Sequence, residues 1–309
     1  MTDLWEDNGV KPGMHSLRKA LRKNWIAYLF VLPCAVILVL MIYNPLVQTI
    51  RFSLSKVLLP SFDTQYAALT NFTRAFGTQD MSQILFNTIL WVFGTLLLRF
   101  VLGFGAAITM DSRVGGILVF RILALIPWTV PSIVAANLWR WLLQTDFGLV
   151  NQILKGLGAH AGVNWLGSAH TALLSVLVAY SWAGYPFVMI MLLAGMQGIP
   201  EVLYDAAKID GANGIQTFLH VTLPSLRTLI VILVLLEIVS GFNSFDLLFV
   251  MTGGGPGVAS LVLGLYIYRL GFTNFDFGAA AAVSAAMLAV AIVFFLFYVP
   301  SSRRGRGTA

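Results

Sequence analysis

The chain has 309 residues, of which 58% are hydrophobic and only 10% charged, with a mean hydropathy of +0.84. A soluble globule would carry about 25% charged residues, so that class is excluded. The net charge of +6 would suggest nucleic acid in a soluble protein, but here Lys and Arg flank apolar runs, so topology explains them and no nucleic-acid partner is expected.

A bilayer core about 30 Å thick needs on the order of 20 apolar helical residues. Six runs meet that requirement, at roughly 25–47, 84–110, 117–142, 171–195, 223–248 and 277–299. The expected fold class is therefore all-α: a polytopic membrane protein with six transmembrane helices across 25–300. A basic segment, 1–24, precedes them and a basic tail, 301–309, follows. The first run could imitate a signal peptide, but it is too long for an h-region and lacks an A-x-A site, so it reads as a retained helix. Cys34 lies inside it; a lone cysteine offers neither a disulfide framework nor a cysteine metal site, and reads as a small apolar packing residue. The four histidines, His15, His160, His170 and His220, do not form a metal-ligand spacing, and no metal is expected.

Orientation follows from the basic residues. With both termini in the cytoplasm, twelve Lys and Arg fall inside and six outside (Arg51, Lys56, Arg74, Arg140, Lys155 and Arg269), while Arg99 stays within the membrane. Two to one favours this arrangement. The outer loops are 48–83, 143–170 and 249–276, none long enough for an independent domain. The first is mixed in polarity and could carry short interfacial helices. The small residues of 278–286 would let a neighbouring helix approach closely.

Between the fourth and fifth runs lies a polar, punctuated insert, 199–224, which this orientation places in the cytoplasm. Pro200 suits a first helical turn and Glu201 its positive end. Glu201 to Ile209 reads as a short amphipathic helix with Val202, Leu203, Ala206 and Ile209 along an apolar flank. Gly211 permits the turn that stops it. A second short helix from about Ile215 to Val221 leads into Leu223-Pro224. Ala206 and Ala207 keep the surface low, and Asp205 offers a carboxylate to a partner's Arg.

The order Asp205-Ala206-Ala207, Asp210-Gly211-Ala212, Phe218, Leu223-Pro224 resembles the EAA loop of ATP-binding-cassette (ABC) importer permeases. That family more often has Glu where this chain has Asp205. Resemblance extends over about 25–300. Asn87-Thr88, Pro127-Trp128 with Pro131, Asn137-Leu138-Trp139, and Phe147-Gly148-Leu149-Val150-Asn151 are similar to sugar permeases. Phe245-Asp246 with Thr252-Gly253-Gly254-Gly255-Pro256-Gly257 is similar to the branch for maltose, other oligosaccharides and glycerol-phosphate. The resemblance implies a non-catalytic subunit translocating a carbohydrate or related polyhydroxylated solute by alternating access. It also implies a second homologous permease, two copies of an ATPase, an extracytoplasmic solute-binding protein, and ATP with Mg on the ATPase alone. No Walker sequence GxxxxGK[ST] occurs in this chain.

For the substrate path, the fifth run carries Glu237, Ser240, Gly241 and Ser244 at offsets of three, four and seven, on one helical face. An ionisable residue inside the membrane is a functional candidate. The fourth run offers Trp182, Ala183, Gly184, Tyr185 and Phe187, aromatic faces beside a gap. Glu237 either meets the solute or pairs with Arg99 to hold helices together. Gly253 to Gly257 reads as a flexible outer loop meeting the binding protein, since no helix start with Lys follows to make a phosphate cradle. A self-contained ion-coupled secondary transporter is the alternative class, and Glu237 alone supports it poorly.

Overall fold

In hydrocarbon, backbone groups must satisfy one another, so each apolar run becomes helix. The computed structural model describes residues 25–111, 117–158 and 162–304. The basic segment 1–24 and the final residues of the tail lie outside them.

Helix α1 (Trp25–Leu38) continues through one wider turn into α2 (Asn44–Ser53). Together they supply a span, Tyr28–Ser53, whose most apolar window has no buried residue. Cys34 is exposed on α1, so its expected packing role is not met within this chain.

The first outer loop corrects the all-α expectation. Strands β1 (Ser55–Leu58) and β2 (Asp63–Tyr66) form an antiparallel hairpin with Ser55 opposite Tyr66. Helix α3 (Thr70–Phe76) closes over it. The buried Asn71 amide donates to the carbonyls of Ser53 and Ser55, at 3.0 and 2.8 Å, which replaces the ladder bonds the short strands lack.

Helices α4 (Met81–Met110) and α5 (Ile117–Thr129) follow, then α6 (Ser132–Leu142) and the short α7 (Leu149–Gly156). The apolar run 117–142 is not one span: α5 and α6 meet at 98°. Pro131 sits at the joint with φ −54° and ψ 139°, a non-helical conformation that starts the second helix afresh. Helix α8 (Ala172–Gln197) lies along α4, and these two carry the core. Trp91, Val92, Val176 and Ala179 fill one half, and Ala107, Val188, Met189 and Leu192 the other.

Three short elements, α9 (Glu201–Ile209), α10 (Gly214–Thr217) and α11 (Leu223–Ser225), precede α12 (Arg227–Asn243). The 223–248 run is likewise corrected. The arm Gly214–Ser225 meets α12 at 73°, and the run breaks again at Ser244 before α13 (Asp246–Met251). Its 17 residues rise about 25 Å, slightly less than a bilayer core. Helix α14 (Leu263–Tyr268) and the final α15 (Phe277–Arg304) complete the chain. Among the described residues, four helices are long and apolar enough to cross a membrane, or six if each bent pair is one span. The alanine-rich start of α15 packs on α2 and α3, and a Cβ at Gly278 would lie 2.8 Å from the Asn71 amide nitrogen.

The glycine-rich loop 252–257 is tied down by hydrogen bonds. The fully buried Ser260 hydroxyl lies 2.7 Å from the Gly255 carbonyl and 2.8 Å from the Thr252 hydroxyl. Asn87 on α4 donates to the carbonyls of Val258 and Leu261, and Thr88 accepts from the Leu263 amide at 2.9 Å. The Asn-Thr pair therefore clamps the outer loop to the core.

Candidate functional site

The insert 199–224 folds into a helix–turn–helix knob. Helix α9 has the bounds expected, with Glu201 in its first turn and Lys208 in its last. Pro200 stands just before the first turn, as the N-cap residue. Gly211 holds φ +75°, the left-handed conformation expected of a stop. The second arm opens with a reciprocal capping box between Asn213 and Gln216. Its signal, Asn three residues before Gln, was present in the sequence and overlooked.

The apolar flank of α9 has no cover. Val202 is 74% and Ile209 87% exposed, Leu203 and Ala206 are also exposed, while Ala207 and the half-buried Tyr204 turn inward. Between the two arms runs a groove of about 500 Å³ lined by Ala206, Ala207, Asp210, Gly211 and His220. Asp205 makes an exposed 3.1 Å ion pair with Lys208, which contributes little and leaves the carboxylate competent for another partner. Phe218 points the other way. Its ring meets Phe104 of α4 edge-on at 5.6 Å, so the knob is keyed to the long helix of the core. Leu223 and Pro224 make the short turn from which α12 departs.

Within the membrane-spanning layer, Arg99 of α4 and Glu237 of α12 form an ion pair at 2.6 Å, with side chains only 6% and 4% exposed. Arg99 also donates to the Tyr180 carbonyl at 3.0 Å, and its guanidinium lies 4.0 Å from the Tyr180 ring centroid. Such a charge needs partners in a low dielectric, and two neighbouring helices, α8 and α12, supply them. Gly184 makes room: a Cβ there would fall 2.1 Å from Arg99 Cζ.

This pair walls a cavity of about 280 Å³. Ala183, Gly184 and Phe187 from α8, and Glu237 and Ser240 from α12, line it as the sequence suggested. Trp128, Ser132, Tyr180 and Arg99 line it too, and were not placed there from sequence. Trp128 and Phe187 have ring centroids 6.1 Å apart, and the Ser240 hydroxyl is 3.1 Å from that of Tyr180.

The other sequence candidates lie elsewhere. Trp182 packs edge-on against Trp139, and the Tyr185 hydroxyl donates to the Ala124 carbonyl. Gly241 rests on Val92, and Ser244 is buried beneath the Trp91 indole, whose N–H it accepts. The break at Ser244 diverts the lower half of the expected face into the core.

Residues 99–306 match the family described as "Binding-protein-dependent transport system inner membrane component". The chain belongs to that family. It is thus a permease subunit of a binding-protein-dependent importer, and the ion-coupled secondary transporter falls away. Among relatives, this inner membrane component is 32% identical to the trehalose/maltose transport system permease protein MalF of Thermococcus litoralis, over 91% of this chain and 95% of that one. It is 29% identical to the diacetylchitobiose uptake system permease protein DasB of Streptomyces coelicolor, over 96% and 93%. Its fold matches a chain of a bacterial ABC transporter that imports the acidic polysaccharide alginate, with TM-score 0.80, 22% identity, and coverage of 93% and 98%.

Proposed function

We propose that this chain is the carbohydrate-translocating permease of an ABC importer. It works beside a second homologous permease, two copies of an ATPase that carry the ATP and Mg, and an extracytoplasmic solute-binding protein. Six spans, counting each bent pair as one, keep both termini on one side, and the two-to-one excess of Lys and Arg supports the cytoplasm for that side and for the 199–224 knob. The observation that carries the coupling role is the knob itself. It pairs an uncovered apolar flank and an open groove with a ring keyed into the core, so a push on α9 reaches α4 through Phe218. Asp205, Asp210 and Gly211 shape the outer surface of that contact, and Glu201, Ala206, Ala207, Leu223 and Pro224 its frame.

The solute passes by the cavity between α4, α8 and α12. Aromatic rings at Trp128 and Phe187 suit sugar faces, and Ser240 and Glu237 suit hydroxyls. Relatives named for trehalose, maltose and diacetylchitobiose point to the same substrate class. The solute drives nothing by itself; it acts only through its different affinities for the two states of the path.

Gentle extraction of the tagged chain from native membranes tests this. A second permease and an ATPase should co-purify, and sugar should stimulate ATP hydrolysis once the binding protein is added. A chain that emerges alone, well folded and without ATPase, would sink the coupling role.

A further inference from the structure

The Arg99–Glu237 pair is more than a brace, because of where its unused valences lie. Arg99 Nη1 is spent on Glu237 Oε2 and Nη2 on the Tyr180 carbonyl. Glu237 lines the cavity, and among the described residues its second oxygen accepts no hydrogen bond. The cavity wall therefore offers a hydrogen-bond acceptor whose charge is already cancelled by the cation behind it. No other charged group lines this half-site; the nearest acid, Asp246, is exposed and accepts from the Ser132 hydroxyl at 3.2 Å.

We infer that Arg99 and Glu237 together are a specificity element that selects uncharged sugars, with Glu237 occupying as an internal counter-ion the place beside Arg99 that a substrate carboxylate would otherwise take. This rests on the carbohydrate reading and deepens it. A hydroxyl meeting Glu237 Oε1 gains a charge-assisted hydrogen bond. A sugar carboxylate meets the same oxygen as a like charge in a low dielectric, while Arg99 has Nη1 and Nη2 engaged and its one unpartnered donor, Nε, buried away from the cavity surface. Gly184 is part of the device, because any side chain there would push the guanidinium off its acid.

The test uses the complete membrane complex in nanodiscs, washed free of solute-binding protein so that the permease alone discriminates. Equilibrium binding of labelled maltose, trehalose and diacetylchitobiose is compared with that of digalacturonate. Wild type should prefer a neutral sugar, and Glu237→Gln should shift the neutral-to-acidic ratio toward the acid by about tenfold or more, because Arg99 is then unmatched. The double variant Arg99→Gln/Glu237→Gln, whose cavity is again uncharged, should restore the neutral preference. A ratio that stays within about twofold in the intact Glu237→Gln complex overturns the inference. Where Glu237→Gln yields no complex, the double variant decides: retained neutral preference supports the inference, and free acceptance of digalacturonate ends it. If no sugar of the panel binds wild type, the carbohydrate reading itself fails, and the inference with it.

Discussion

Arg99 is held by contacts from two neighbouring helices, α8 and α12, and the smallest residue among them, Gly184, sets the tolerance. Gly184→Ala places a methyl group inside the guanidinium, so the pair must open. We expect a loss of about 3 kcal/mol or more, the usual cost of stranding a buried charge, read as a lower melting temperature of the purified complex. Gly105→Ala is the control: nothing lies within 4 Å of a Cβ there, and the change should stay within about 1 kcal/mol. Asn87 offers a second residue-scale test. Its amide spans to two outer-loop carbonyls, so Asn87→Ala should cost about 1–3 kcal/mol and expose 252–262 to protease added outside. From sequence, Asn87 was only a mark of family likeness. Its purpose depends on a partner more than 170 residues away, which no local pattern reveals.

At the scale of elements, the knob was the most legible part of the chain. Its bounds, its stop and its amphipathic flank follow from local chemistry: a proline, an acid at a positive helix end, a glycine at a left-handed turn. Gly211→Val forces a β-branched residue into that conformation at about 1–2 kcal/mol. ATP hydrolysis should persist in the reconstituted importer while uptake falls, and uptake that keeps pace with hydrolysis would refute it. Phe218→Ala should uncouple in the same way by removing the ring that meets Phe104, with the ATPase still bound. The broken helices were harder to read. Pro127 with Pro131 signals the break in the third run, where the bend is 98°. Hydropathy, blind to direction, marks neither the 73° bend at Leu226 nor the break at Ser244.

For the whole molecule, the first span is the informative element. The 26-residue span has no buried position in its apolar window and is anchored through its end, α2, against α15. Its cover must come from lipid or from a companion subunit. Topology is testable without the partners. With Cys34→Ser as background, a membrane-impermeant maleimide added to intact cells should label Lys56→Cys and not His220→Cys. Labelling of His220→Cys from outside would invert the orientation. The hairpin at 55–66 escaped the sequence reading because its strands are four residues each and mostly exposed. The cavity was half legible: α8 and α12 were chosen for polarity within apolar runs, whereas Trp128 and Ser132 reach it only through the bend at Pro131.

Arg99 and Glu237 are 138 residues apart in the chain, and Arg99 and Tyr180 are 81 apart. At about 5–20 residues per second, the ribosome delivers the arginine roughly 7 to 28 s before its acid. During that interval a positive charge rides in α4, at a cost on the order of 3 kcal/mol. That cost predicts that α4 settles fully only once α12 has arrived, so truncating the chain before Glu237 should leave α4 more accessible to an aqueous thiol reagent than in the full chain.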